Sequence, residues 1–531
     1  MQKHSFTYRQ SHQFSSFILN YFEGNEAFKN YQNLAPKIEN FENAIRQISH
    51  FETDRDLLID ELIRQNGKEG KKYQNILKLK SPKTFTITTG HQLCLATGPL
   101  YFIYKILSVI KLCEQLKQIH PEYEFVPVYW MASEDNDFEE INHIHLFNKK
   151  IVWNGQQSGA VGRFKPDTAL EESITELKTI LGNSELAIQL GQQLELFYLQ
   201  SDNLSAASRK LVDFLFQEYG LITIEPDAKA FKNAFKKYIK EDIFNQLNYQ
   251  KVEESIAELT QNELLKSVQV KPREINFFYL KNDLRERIVF EENVYKVLNT
   301  DLTFSKAELE NEIELNPENF SPNVVTRPLF QQFLMPNLAY IGGPGELAYW
   351  LEYKKMFEAN HLFFPILVPR NFIYLMDKNT QEKWQKLGFE LEHIFENVEE
   401  LKKEYVFKNS EEDFHLNDEK EEISKIYKTA ELKISKIDAS LVNTLQAELQ
   451  KTLNSFQNLE SKLVKAQKKK FEGSLESIDK IIQKLKPNGT PQERFDNFLP
   501  YYLKNGENFI NEIYQKIEVI NDQVLILTEN Q

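Results

Sequence analysis

The chain has 531 residues, with 64 Lys+Arg against 78 Asp+Glu and a formal net charge of −14. That balance excludes a broad nucleic-acid footprint, which needs clustered positive charge. Two cysteines, Cys94 and Cys113, exclude a disulfide framework and fit a reducing, cytoplasmic compartment. "MQKHSFTYRQ" lacks the apolar region of a secretory signal, no apolar run approaches the ~18 residues of a membrane span, and a 41% hydrophobic share is enough for a sizeable core.

Residues 12–80 carry apolar and polar residues at helical spacing, as in "FENAIRQISHFETDRDLLIDELIRQ", and are expected to be helical. "TFTIT" (84–88) alternates Thr with Phe85 and Ile87, the period of a strand. Thr89 and Gly90 end that strand, and a loop leads to Pro99, which suits the first position of a helix capped by Thr97 or Gly98. Leu100, Ile103, Leu107 and Ile110 would be the core face of that helix. A helix start after a parallel strand offers free N–H groups to an anion, His91 and Gln92 add donors, and the glycines let a ligand approach the backbone. The alternative is a corner whose glycines serve only its turn. "GKEGKK" (67–72) has the wrong spacing for a phosphate-binding Walker A loop.

"FVPVYWMA" (125–132) reads as a buried strand running into five acids within seven residues: Glu134, Asp135, Asp137, Glu139 and Glu140. Their repulsion needs relief. A following helix capped by Ser133 or Asp135 would supply it, and so would a bound Mg²⁺ or a substrate ammonium. The position at a strand's carboxyl end favours a ligand site. His143 and His145 with Cys94 match no zinc spacing, so no metal site is expected from protein ligands.

"LITIE" (221–225), "INFFYL" (275–280), "NLAYI" (337–341), "LFFPILV" (362–368) and "VLILT" (524–528) are further strand candidates, with helical stretches between most of them. Strand–helix alternation predicts an α/β fold with a mostly parallel sheet. Residues 155–215 and 230–330 are too long for simple crossovers and read as insertions in a core covering 1–375. Near its end, "TRPLFQQFLMPNLAYIGGPGELAYWLEYKK" (326–355) again takes a strand into glycines and a helix. Gly343, Gly345 and Ala348 fit a dinucleotide fingerprint, but the acid expected about 20 residues later is missing from "FFPILVPR". That counts against an NAD(P)-linked oxidoreductase and leaves a nucleotide or phosphorylated intermediate on the backbone of Gly342, Gly343 and Gly345. Arg327 could clamp a carboxylate or phosphate, or serve a structural ion pair. Cys94 is either a thiol nucleophile or, as is commoner, a small buried side chain.

Residues 376–487 are charged and carry an apolar stripe from Ile423 to Leu463, 40 residues in 11 steps, close to the 3.6-residue repeat of a straight helix. A second stripe, Leu475, Ile478, Ile481 and Leu485, follows "KKKFEGS". Together they predict a long antiparallel helical hairpin, coiled-coil-like, whose apolar stripe needs a partner in its own return arm or in a second subunit. "KPNGTPQERF" is a turn, and 488–531 would return to the core as one helix and one strand. A non-catalytic scaffold built on this arm is a further alternative.

"TTGHQLCLATGPLYFIYK", "VPVYWMASEDNDFEEINH" and "RPLFQQFLMPNLAYIGGPGELAYW" together resemble the bacillithiol-biosynthesis cysteine-adding enzymes, a family of cysteine ligases. The likeness covers nearly the whole chain, including the arm and "PQERFDNFLPYYLKNG" (491–506); His91 stands where a second Gln is expected. The resemblance implies a Rossmann-like core with connecting-peptide insertions and a coiled-coil domain supporting a homodimer. It implies that the carboxyl of cysteine joins the amino group of glucosaminyl-malate to give bacillithiol. ATP, with Mg²⁺, would activate the cysteine carboxyl. On this reading Glu134, Asp135, Asp137 and His91 are the catalytic candidates, with Asp135 or Asp137 as the base. Thr89, Gly90, Gln92, Thr97, Gly98, Pro99 and Asn142 would contact reactants, Arg327 and Lys105 would hold carboxylates such as that of malate, and Gly342, Gly343, Gly345 and Glu346 would complete the pocket.

Overall fold

The computed structural model describes residues 1–265, 267–268, 270–410 and 416–529. Lys266 and Gln269 in the second expected insertion, residues 411–415 in the expected arm, and the last two residues lie outside the described residues. The chain forms two compact units, one of Met1, Lys3–Tyr374 and Gln492–Leu525, the other chiefly of Leu375–Pro491 with the stretch from Ile526 onward.

The first unit is built on a five-stranded, all-parallel sheet in the order Ile366–Pro369, Asn337–Gly342, Thr84–His91, Glu124–Met131, Ile222–Ile224. Every residue of Thr84–His91 is buried, which requires cover on both faces. Phe85, Ile87 and Phe125 pack on one face with Ile45, Val109 and Leu116. Val126, Val128 and Trp130, alternate residues of one strand, pack on the other with Leu58, Ile239 and Phe330. From Thr84–His91 the chain adds two strands on one side, then crosses to add Asn337–Gly342 and Ile366–Pro369 on the other. The switch point therefore lies between Thr84–His91 and Asn337–Gly342, where a doubly wound sheet opens a crevice at its carboxyl ends.

Two expected core strands belong elsewhere. Phe277–Lys281 enters a five-stranded sheet with antiparallel pairings, ordered Thr303–Phe304, Val294–Val297, Leu284–Glu291, Phe277–Lys281, Phe320–Pro322. Its central hairpin turns on Glu292 and Asn293, with φ of 54° and 64°, the left-handed pair that matches strand twist. Gln523–Thr528 is the middle strand of a three-stranded sheet with Gln2–Thr7 and Phe372–Met376. Residues 155–215 hold three helices, Thr168–Leu181, Glu185–Leu199 and Leu204–Phe216.

In the second unit, the Ile423–Leu463 stripe is not one continuous helix. Asn417–Ile437 ends at Asp438, whose extended backbone (φ −154°, ψ 106°) and side-chain bond from the Ser440 N–H start a new turn, and Val442–Lys470 runs back. Lys420 pairs with Glu460 at 2.5 Å and the Tyr427 and Thr452 hydroxyls meet at 3.1 Å, as an antiparallel hairpin requires. Neither long helix buries a residue, and Ile426 is 66% and Ile437 86% exposed. Glu472–Leu485 is a separate helix that buries Leu475, Ile478, Ile481 and Leu485. No helix among the described residues is long and apolar enough to cross a membrane.

Candidate active site

A cavity of about 770 Å³ opens at the switch point, lined within the first unit by the ends of the core strands, the acidic loop after Met131, the antiparallel sheet and the turn at Arg494. It brings together Gly90, His91, Gln92, Lys105, Glu134, Asp135, Asp137, Arg327, Gly343, Gly345 and Glu346 from the candidates of the sequence. Thr89, Thr97, Gly98, Pro99, Asn142 and Gly342 do not line it.

The two strand ends are tied by a buried ion pair. Lys105, 2% exposed, donates to the Gly90 carbonyl at 2.6 Å and lies 2.7 Å from Glu346 Oε2. Glu346 Oε2 also accepts the Gly343 N–H at 2.9 Å, and Oε1 accepts the Tyr340 hydroxyl at 2.9 Å. Burial acts to raise the Glu346 carboxyl, but Lys105 and the Gly343 N–H outweigh it and hold the group below its ordinary range. Two expectations change as a result. Lys105 is committed to Glu346 and is not a free carboxylate anchor, and the Gly343 N–H already has an acceptor. Gly90 stays bare because a Cβ there would sit 3.2 Å from the Tyr340 hydroxyl and 3.5 Å from Arg327 Nη1. Arg327 thereby lies across the strand end.

The loop after His91 does not start its helix at Pro99. The helix runs from Tyr101 to Ile119, and neither Thr97 nor Gly98 caps it. Asn497 takes up the loop's carbonyls, donating to Ala96 O at 2.8 Å and Gly98 O at 2.6 Å, while the Leu100 N–H donates to Asp496 O. Gly98 is required by conformation, at φ +68°, and by packing, since a Cβ would meet Cys94 Cβ at 2.6 Å. In this half of the motif the Ala96 and Gly98 carbonyls and the Ala96 and Leu100 N–H groups have partners elsewhere in the fold. Thr89 likewise serves the sheet, its hydroxyl donating to Ile341 O at 2.7 Å. Gly342 gives its carbonyl to the Arg370 N–H and leaves room for Leu347. Asn142 accepts the Trp153 N–H behind the acidic loop.

His91 faces the cavity between Tyr101 and Phe102, with ring centroids at 5.3 and 5.1 Å. Burial first, and the Lys105 charge second, lower its pKa to about 3, so the imidazole is neutral at physiological pH. Cys94 is buried and its thiol is pushed up to about 12, chiefly by burial, which removes it as a thiolate nucleophile.

The acidic loop divides by partner. Glu134 is buried and paired with Lys232, which also donates to Phe320 O at 2.6 Å. It is a structural anchor, not a free base. Gln92 Nε2 bridges Asp135 Oδ2 at 2.9 Å and Glu140 Oε2 at 2.7 Å. Asp135 Oδ1 accepts the Asn136 N–H, and Asp137 caps the short helix Phe138–Ile141. None of Asp135, Asp137 and Glu140 forms a salt bridge among the described residues; the nearly buried Arg285 donates to Asn136 Oδ1 at 2.8 Å and places a positive charge beside Asp135.

The same cavity is lined by cations that reasoning from sequence missed. Arg370, 2% exposed, donates to Glu493 Oε1 at 2.6 Å, and its guanidinium lies 5.2 Å from the Tyr101 ring centroid. Arg494, exposed and without a salt bridge among the described residues, lies 5.8 Å from the same centroid. Arg273 and Arg287 come from the antiparallel sheet and its approach. Arg370 follows the strand end "ILVP" and Arg494 sits in "PQERF", so both had a positional signal; Arg273 had none.

Two family models cover the chain: bacillithiol biosynthesis BshC, N-terminal Rossmann-like domain, matches residues 1–371, and the BshC C-terminal coiled-coil domain matches 373–529. Curated relatives described as "Putative cysteine ligase BshC" include one from Flavobacterium psychrophilum, 42% identical over 96% of both chains. Another, from Flavobacterium johnsoniae, is 40% identical over 98% of this chain and 99% of the relative. A third, from Cytophaga hutchinsonii, is 37% identical over 96% of each.

Proposed function

The chain belongs to the BshC family of bacillithiol biosynthesis, and on that premise we propose that it is a ligase joining the carboxyl of L-cysteine to the amino group of glucosaminyl-malate. ATP, with its Mg²⁺, would activate the carboxyl: a cysteine carboxylate oxygen attacks the α- or the γ-phosphorus of ATP to give a mixed anhydride, and pyrophosphate or ADP, respectively, leaves with the electron pair of the broken P–O bond. The amine then attacks the acyl carbon, expels the nucleotide or phosphate, and loses a proton to Asp135 or Asp137.

The observation that carries this reading is the two-signed cavity, lined both by the Gln92–Asp135–Glu140 shelf and by Arg273, Arg327 and Arg494. An acyl transfer between an amine and a phosphorylated carboxyl needs both: a carboxylate to accept a proton from the amine, and fixed cations where phosphate and carboxylate charge gathers. A hydride transfer would give the acidic shelf no work. The exposed stripe of the arm, with Ile426, Ile437 and Leu459, supports a homodimer through the coiled coil, and two unpaired cysteines fit a cytoplasmic location.

The test is to mix the purified protein with ATP, cysteine and glucosaminyl-malate and to identify thiol and nucleotide products by mass spectrometry. Bacillithiol with one equivalent of AMP or ADP is expected; no ligated product sinks the reading.

A further inference from the structure

Behind the segments that carry Arg273 and Arg327 lies a residue that does not line the cavity. Asn276 is fully buried, and each of its hydrogen-bonding groups is used. Its side-chain Oδ1 accepts the Arg273 N–H at 3.0 Å and the Asn323 amide at 3.0 Å. Nδ2 donates to the Arg273 carbonyl at 2.7 Å and to Asp242 Oδ1 at 3.2 Å. The side chain thus meets both polar groups of the Arg273 residue, as a neighbouring strand would. Its own N–H donates to Asp242 Oδ2 at 2.6 Å, and its carbonyl accepts the Asn323 N–H at 3.0 Å and the Thr326 hydroxyl at 2.8 Å.

The two segments joined there carry two of the cavity's cations, Arg273 and Arg327, the latter donating to Gln331 Oε1 at 3.1 Å and forming no salt bridge among the described residues. Arg273 is exposed and forms no salt bridge among the described residues. Asn323 closes the turn before the helix Arg327–Leu334, accepting the Val325 and Thr326 N–H groups through Oδ1 and the Arg327 N–H through its carbonyl. Asp242, itself fully buried, is held in turn by the Asn248 amide at 3.0 Å, and Asn248 by Asn360 at 2.8 Å. We infer that Asn276 is a positioning residue: it staples the Arg273 segment to the Arg327 turn, so that both guanidiniums meet one anionic group of a reactant. The inference rests on the proposed reading that this wall receives phosphate or carboxylate.

Asparagine suits this place because only a primary amide of this length offers two donors and two acceptors to Arg273, Asn323 and Asp242 at once. Alanine would release both segments; the carboxylate of aspartate would face Asp242 and the Arg273 carbonyl.

The full chain and its Asn276→Ala, Arg273→Gln and double variants should be titrated with tripolyphosphate and with L-malate by calorimetry. Each single variant is expected to weaken one of the two probes about tenfold or more. The double variant should lose clearly less than the sum of the two single losses, because part of what Asn276 does is to place Arg273. Thr326→Val, which removes one hydroxyl from the hub, serves if Asn276→Ala does not fold, and should weaken the same probe two- to fivefold. Unchanged affinities in Asn276→Ala or Thr326→Val, losses that add in the double variant, or a wild type that binds neither probe would each overturn the inference. Product formation by the wild type, measured separately, tells failure of this staple apart from failure of the ligase reading.

Discussion

Replacing Lys232 by Met separates a structural role for Glu134 from a catalytic one. Lys232 and Glu134 have side chains 1% and 7% exposed, and Lys232 also satisfies the Phe320 carbonyl. Burial pushes the Glu134 carboxyl upward even with Lys232 beside it, which marks how little solvent helps the charge. Removing one partner of such a pair leaves a buried charge uncompensated and costs about 3–5 kcal/mol. Spread over a unit of about 400 residues with an unfolding entropy of about 2.1 cal/mol/K per residue, about 4 kcal/mol lowers Tm by about 5 °C. Adding Glu134→Gln to Lys232→Met removes the stranded charge and should return about half of the loss. Calorimetry on the two single variants and the double variant reads these values, and a turnover assay on the folded double variant reads the chemistry. If Lys232→Met costs under about 1 kcal/mol, or if the two losses add, the buried-pair argument fails. If the double variant is folded yet inactive, Glu134 does more than anchor its loop.

Asp135→Asn with Asp137→Asn should leave the melting temperature nearly unchanged, since Asn also caps a helix, while product formation falls about 10²- to 10⁴-fold; unchanged turnover removes the shelf from the chemistry. Gly98→Ala forces a side chain onto φ +68° against Cys94 and should cost about 2–4 kcal/mol by urea unfolding. The KM for ATP of the folded fraction should not move, because Gly98 does not line the cavity. Burial raises Asp242 from 3.8 to about 6 against the pull of the Asn276 and Asn248 hydrogen bonds, with no charged group contributing. A raised carboxyl binds its proton first in the folded state, so its charge costs stability above pH 6 and that cost is relieved as pH falls toward 4. Wild-type stability relative to Asp242→Asn should therefore rise by about 2 kcal/mol between pH 7.5 and 4.5; a flat difference contradicts the assignment.

The sequence by itself determined what depends on near neighbours. Alternation in "TFTIT" and the buried run "FVPVYWM" identify core strands because side-chain direction has a period of two, and the acids after Met131 mark a strand end because nothing nearby neutralises them. The two hairpins at Phe147–Asn148 and Glu292–Asn293 were hidden because their left-handed turns use no glycine, leaving only Asn as a signal. The Ile423–Leu463 stripe reads as one helix because its spacing runs through Asp438 unbroken; the reversal comes from one extended residue and a side-chain cap. Only the tertiary structure decided which polar groups are free. Lys105, Glu134 and the Gly343 N–H are typical site groups by position, yet each is taken by a partner 98 to 241 residues away or by the adjoining turn. Arg370 and Arg494 reach one ring, Tyr101, from 269 and 393 residues further along the chain. A charge becomes a site residue when folding leaves it without a partner, and pairing across hundreds of residues depends on strand order and the switch point, which no local pattern encodes.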